Sequence, residues 1–88
     1  MYLVGKIIEF SPVESGTSPK GEWKKRTVVI RTLEQDPVLV AFTAFNKRVE
    51  TLEPFVLGDV VNVSFGVSSR KFQDRWFSDL QLWGIQNV

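Results

Sequence analysis

One short segment with helical periodicity interrupts a chain that otherwise alternates like β-strands, and this interruption constrains the fold most. Five segments rich in β-branched and aromatic residues predict strands: Tyr2–Phe10, Trp23–Thr32, Val38–Phe45, Asp59–Ser69 and Trp76–Gln86. Between the third and fourth, Val49 and Leu52 are three positions apart, as one face of a helix over Asn46–Phe55 requires. We expect Asn46 to cap this helix and Pro54 to limit its length.

Three strands, a short helix and a two-stranded hairpin follow one another in 88 residues. This is the order of an all-β, five-stranded OB-fold Greek-key barrel, with the helix between strands three and four closing one end. An SH3-like barrel and a split sheet with a packed helix are the alternatives. Ser11–Glu22, which contains two Pro, two Gly and three Ser, is predicted to be a loop, and Leu33–Pro37 and Gln73–Asp74 are predicted to be turns. The length predicts a single domain over residues 1–88.

The composition excludes several classes of site. Without cysteine, the chain forms no disulfide or thiolate metal site. Without histidine, it has no nucleophile activated by an imidazole. No acid–base motif or Gly-rich phosphate loop stands out, so we expect no enzyme activity, cofactor or metal. The sequence predicts no membrane span and no secretory signal, and we expect a cytoplasmic protein.

Positive charge and aromatic rings are interleaved in two stretches, Lys20–Arg26 and Arg70–Phe77. These stretches hold seven of the eleven Lys and Arg residues, although the net charge is only +1. Cations for phosphates beside rings for bases are what a single-stranded nucleic acid needs. The pattern therefore predicts binding of single strands with little sequence specificity.

Several motifs also resemble a known family. Gly5–Ile8, Gly21–Lys25, Val40–Phe42, Gly58–Val60 and Arg75–Asp79 resemble a family of short, uncharacterised bacterial proteins grouped with single-stranded DNA-binding OB domains. The resemblance covers nearly the whole chain. It implies an OB barrel and a relation to single-stranded DNA-binding proteins, but no assigned activity. We expect a bacterial or phage protein with a role in DNA replication or repair. Bacterial single-stranded DNA-binding proteins add a flexible, acidic-tipped tail that recruits repair enzymes. This chain ends at Val88, directly after the fifth predicted strand, and we therefore expect no such recruitment.

Successive side chains of a strand point to opposite faces, and this alternation, which we call strand parity, places the two stretches at one predicted groove. OB-folds bind ligands on the outer face of strands two and three, between the first and last hairpin loops, here Ser11–Glu22 and Arg70–Arg75. Trp23 and Phe77, with Phe72, are predicted to stack on bases, and Lys25, Arg31, Arg70 and Lys71 to contact phosphates. The complete predicted site comprises Lys20, Trp23, Lys24, Lys25, Arg31, Arg70, Lys71, Phe72, Arg75 and Phe77.

Strand parity also divides the remaining apolar residues between core and surface. In the third strand Val38, Val40 and Phe42 are predicted to point inward, whereas Leu39 and Phe45 point outward. In the fifth strand Trp76 is predicted to lie in the core with Leu80 and Leu82. Trp83 then points outward, unless a β-bulge changes its face.

Other interpretations remain open. Trp23 could cover the barrel mouth, and Lys24–Arg26 could protect a strand edge from pairing. The exposed apolar surface around Leu39 and Phe45 favours, as the alternative function, a protein-interaction or oligomerisation module. We expect a homo-oligomer, with single-stranded DNA as the leading partner and RNA as the second.

Overall fold

The computed structural model describes residues 1–88. It contains six strands and one short helix: β1 (Tyr2–Phe10), β2 (Glu14–Ser18), β3 (Gly21–Thr32), β4 (Leu39–Phe45), α1 (Lys47–Glu50), β5 (Val60–Phe72) and β6 (Arg75–Asn87). The strand order is β1-β5-β6-β4-β3-β2, with β1 also paired to β3. No helix has the length and apolar character that crossing a membrane would require.

Strand β1 closes the barrel by pairing with two partners. Its first half, Tyr2–Lys6, is antiparallel to β5, and its second half, Gly5–Phe10, is antiparallel to β3. On the other side, β4 and β6 meet in parallel at Thr43 and Gln81. Five strands thus form a closed barrel, and β2 extends the sheet outside it. This is the predicted OB-fold, with α1 between the third and fourth barrel strands.

The core is filled by the inward residues of the barrel strands and one side of the helical segment. Ten hydrophobic residues are buried: Ile7, Val28, Ile30, Phe42, Ala44, Val49, Leu52, Val61, Val63 and Leu82. The rings of Phe42 and Phe65 lie 4.8 Å apart at 54°. Val40 and Leu80 pack against this cluster as predicted, but Val38 is 53% exposed because it lies before β4 begins.

The helical segment is shorter than predicted. Regular helix spans only Lys47–Glu50, and the chain then continues in tight turns such as the Phe55 N–H to Leu52 carbonyl bond of 3.1 Å. Asn46 occupies the cap position without capping, because its Oδ1 accepts the Lys24 N–H of β3 at 3.2 Å. Val49 and Leu52 are nevertheless both buried, as their spacing indicated.

The predicted loop Ser11–Glu22 contains a strand. Residues Glu14–Ser18 of β2 pair with Gly21–Lys25 of β3, joined by a turn in which Gly21 has a φ of 120°. The polar, Gly- and Ser-rich composition of β2 gives little strand signal by itself. Its conformation comes from pairing with β3, which begins two residues earlier than predicted.

The prediction that Trp76 lies in the core was wrong. Trp76 is 70% exposed because β5 and β6 continue past the barrel as a free hairpin. Its side chain points to the same side as the core residues, but no other strand covers that side of the hairpin. The turn of this hairpin lies at Gln73 and Asp74, where it was predicted, and both residues have positive φ. A β-bulge between Ser64 and Phe65 leaves Trp83 as the extra residue of β6, 52% exposed.

Candidate nucleic-acid interface

The outer surface of β3 and β4 forms a continuous face between the two hairpins. On β3 its outward residues are Trp23, Lys25, Thr27, Val29 and Arg31, and on β4 they are Phe45, Thr43, Ala41 and Leu39. Residues opposite one another in antiparallel strands point to the same side, so the pairing of Lys25 with Phe45 and of Arg31 with Leu39 joins the two rows. We call this surface the outer face.

The first arm is the β2–β3 hairpin, Glu14–Lys25. Trp23 lies opposite Gly16, and a Cβ on Gly16 would come within 2.6 Å of the indole of Trp23. The ring therefore rests directly on the glycine backbone, which fixes its position while leaving Trp23 37% exposed. An indole held on one side and open to solvent on the other is suited to base stacking.

The second arm is the β5–β6 hairpin, Ser68–Asp79. Arg70 pairs with Phe77 and Phe72 pairs with Arg75, so two cations and two rings alternate on one side of this arm. Gly66 and Gln81 lie on the same side where the hairpin joins the barrel, and Gln81 pairs with Thr43 of the outer face. Phe72 is 62% exposed and Phe77 is 43% exposed, so both rings are accessible.

The two arms extend from opposite ends of the outer face. The first arm adjoins the Trp23 end of β3. Because β6 runs parallel to β4 at Gln81 and Thr43, the residues that precede Gln81 lie toward the Leu39 end, beside Arg31. From Trp23 to Arg31 the strand extends about 26 Å at the usual rise per residue. A ligand that contacts both arms therefore follows the outer face along its length.

Trp83 lies where this face meets the second arm. A Cβ on Gly66 would clash with the Trp83 indole, so this ring also rests on the glycine of a neighbouring strand. The sequence left its orientation open, because the bulge that determines it has no clear signature in the residue pattern.

Three of the predicted cations form ion pairs with carboxylates. Lys24 contacts Glu50 at 3.2 Å, Lys25 contacts Glu14 at 3.4 Å, and Lys71 lies 4.0 Å from Asp74. These side chains are largely exposed, and exposed pairs contribute only about 0–1 kcal/mol. A phosphate can therefore replace such a carboxylate at small cost. Lys20, Arg31, Arg70 and Arg75 form no ion pair.

The structure brings most, but not all, of the predicted residues to one side. Trp23, Lys25, Arg31, Arg70, Phe72, Arg75 and Phe77 share the outer side by strand parity, and Lys20 lies in the turn of the first arm. Lys24 instead faces α1 through Glu50, and Lys71 lies opposite Trp76 on the other side of the second arm. Lys24 lies between Trp23 and Lys25, and Lys71 between Arg70 and Phe72, so alternation along each strand turns both to the other side.

Arg26, at the end of the first basic stretch, has structural contacts. Its Nε donates a 2.8 Å hydrogen bond to the Ser11 carbonyl, and its guanidinium lies 4.7 Å from the ring centroid of Phe10. It therefore anchors the segment that leads into β2.

An open pocket lies between the first arm and α1. It has a volume of about 670 Å³ and is lined mainly by polar side chains, including Glu22, Lys24, Lys47 and Glu50 as well as Trp23. Two carboxylates and two ammonium groups balance its charge. No group of three or more Asp or Glu side chains is arranged to hold a metal ion.

Comparisons with known proteins agree with this architecture. The model of the family described as Domain of unknown function (DUF3127) matches residues 2–86. No curated protein sequence matches the chain.

Three solved structures share the fold. The mitochondrial single-stranded DNA-binding protein Rim1 from S. cerevisiae is 21% identical, with a TM-score of 0.75 over 100% of this chain and 92% of that one. The small single-stranded DNA-binding protein of Streptomyces coelicolor is 13% identical, with a TM-score of 0.59 over 100% and 90%. The PriB protein of Ralstonia solanacearum is 14% identical, with a TM-score of 0.60 over 100% and 96%.

Proposed function

The chain belongs to the DUF3127 family, and we propose that its outer face binds single-stranded nucleic acid, with DNA as the leading ligand, with little sequence specificity. One observation supports this most directly. Exposed rings and cations with no ion-pair partner alternate on one side of the second arm, at Arg70, Phe72, Arg75 and Phe77, and Arg31 of β3 lies on the same side of the barrel.

The proposed mechanism divides the work between rings and cations. Trp23, Phe72 and Phe77 stack on bases, and each contact contributes about 1–3 kcal/mol. Arg31, Arg70 and Arg75 neutralise phosphates and release counterions, while Lys25 exchanges Glu14 for a phosphate. Any base has a π-face, so this arrangement discriminates poorly among sequences.

The fold comparisons support the class of ligand. Two of the structural neighbours are described as single-stranded DNA-binding proteins, and both cover the whole chain, including the arms. OB barrels commonly bind oligonucleotides on this face.

A fluorescence titration with an oligothymidylate at low salt tests the proposal. Tryptophan emission should be quenched on binding, because Trp23 and Trp83 lie on the proposed path. Trp76 is 70% exposed on the other side of the second arm, so a Trp76→Phe variant lowers the unquenched background without touching the interface. Absence of quenching at micromolar protein, with oligonucleotide in excess, would exclude the proposed ligand. An oligouridylate titration compares RNA with DNA.

Affinity should fall as salt rises. With about four phosphate contacts, the slope of log affinity against log salt should be about −3 for a single strand. A Glu14→Gln variant, which frees Lys25 from its 3.4 Å ion pair, should bind more tightly at low salt. The titration repeated over a series of salt concentrations measures both effects. A slope near zero would show that the cations do not contact phosphates.

Self-association is the second candidate function. Leu39, Phe45, Phe77 and Trp83 are 61%, 42%, 43% and 52% exposed near the outer face. Apolar surface of this kind also suits an interface between copies of one chain, and we propose a homo-oligomer on this basis.

Sedimentation with and without oligonucleotide separates the two candidates. If the outer face mediates self-association, Leu39→Ser should shift the protein toward monomer, and oligonucleotide should compete with assembly. An assembly that is unaffected by either change must use another surface.

A further inference from the structure

Two like charges face one another at the closure of the barrel. Lys6 of β1 lies directly opposite Arg31 of β3 in the antiparallel register. Directly opposed like charges destabilise a sheet. The pair therefore has an unfavourable local electrostatic energy unless something negative lies between the two side chains.

No carboxylate forms an ion pair with either member of this pair. Neither Lys6 nor Arg31 forms an ion pair, since the three ion pairs of the structure involve other cations. The next strands contribute apolar side chains at this level, because Val60 of β5 pairs with Lys6 and Leu39 of β4 pairs with Arg31. Glu9 lies opposite Val29, three residues from Lys6 along β1 and two from Arg31 along β3, and it too makes no ion pair.

The two cations also line a common pocket. It has a volume of about 220 Å³ and is bordered by Lys6, Arg31, Thr32, Leu33, Glu34 and Pro37. The space is large enough for a phosphate group, ammonium and guanidinium groups both donate hydrogen bonds to phosphate oxygens, and the arginine fork suits phosphate geometry. Glu34 is the one acidic side chain on the rim, and it bonds to neither cation.

We propose that Lys6 and Arg31 together form a phosphodiester-binding site, so that a bound strand continues from the outer face onto β1. Lys6 and Arg31 both lie outside the two basic stretches, and Arg31 is the last outward residue of β3. The proposal rests on the proposed function, because the phosphate belongs to the same bound strand. It extends the ligand path past β3, where barrel closure brings β1 alongside.

A Lys6→Gln variant tests this site with two independent readouts. Binding of an oligothymidylate should weaken, and the salt slope should fall in magnitude by about 0.7, the contribution of one phosphate contact. The melting temperature of the free protein should rise by about 1–4 °C, because a repulsive cross-strand pair is removed. Lys6→Arg should retain the wild-type slope, and Glu34→Gln should tighten binding.

Arg48→Gln provides the matched control. Arg48 is exposed on α1, forms no ion pair and lines neither pocket, so its loss should leave the salt slope unchanged. Oligonucleotides with and without a 5′-phosphate distinguish an internal phosphodiester from a terminal phosphate. An effect of Lys6→Gln on both supports the internal position, whereas an effect confined to the phosphorylated oligonucleotide would replace the proposed ligand by a strand end.

The outcomes separate this inference from the proposed function. Wild-type protein that binds no oligonucleotide would exclude both. Wild-type binding with an unchanged slope in Lys6→Gln would overturn the Lys6 site alone, and so would a lowered melting temperature. A reduced slope supports the site whether the melting temperature rises or stays constant.

Discussion

Phe42→Ala should lower the free energy of unfolding by about 3–5 kcal/mol, the usual cost of truncating a buried phenylalanine. Phe42 is completely buried in β4, and its ring lies 4.8 Å from that of Phe65 across the barrel. A domain of this size is typically stable by only about 5–15 kcal/mol. The substitution should therefore leave a large unfolded fraction at moderate urea.

Urea unfolding followed by circular dichroism measures this effect. Leu39→Ala is the matched control, because Leu39 lies on the same strand but is 61% exposed; its stability should change by no more than about 0.5 kcal/mol. The transition midpoint should move while the slope with denaturant stays constant. Equal losses in both variants would mean that Phe42 does not anchor the core.

The barrel was predictable because its strands bury one side each. Val28 and Ile30 alternate with outward residues in β3, and Val61 and Val63 do so in β5, which are the patterns that β-strands in a core require. The break in period at Val49 then located the helix between the third and fourth barrel strands. Together these patterns predicted the OB order without any long-range information.

Alternation failed where the barrel ends. Trp76 has the same parity as Leu80 and Leu82, but parity gives only the side of a strand and not whether anything covers it. The β5–β6 hairpin stays paired as far as Phe72 and Arg75, beyond the end of the barrel. Trp76 therefore lies in solvent. Strand β2 was missed because its own composition is polar and gives no strand pattern. It is a strand because it pairs with β3.

The candidate site was predictable in composition but not in detail. The basic and aromatic residues of the two arms were evident from the sequence, and most share the outer side. Alternation along β3 and β5 turns Lys24 and Lys71 to the other side, and the register between β1 and β3 brings Lys6 opposite Arg31. A contact between residues 25 positions apart depends on barrel closure, which no local pattern encodes.

Trp23→Ala should weaken binding of oligothymidylate by about 5- to 150-fold, the loss of one base-stacking contact. The indole rests on Gly16 of β2 and leaves its other side open, so it is already positioned before the ligand arrives. Because that positioning depends on the glycine, Gly16→Ala should also weaken binding while keeping the indole in the chain.

Fluorescence anisotropy of a labelled oligonucleotide at low salt measures both variants. Trp76→Ala removes a more exposed indole from the other side of the second arm and should leave affinity close to wild type, which separates stacking at Trp23 from a general effect of losing a ring. Melting curves should confirm that each variant remains folded. If Trp23→Ala binds like the wild type while Trp76→Ala binds weakly, the strand runs along the opposite side of the barrel, and the outer face is then available for self-association.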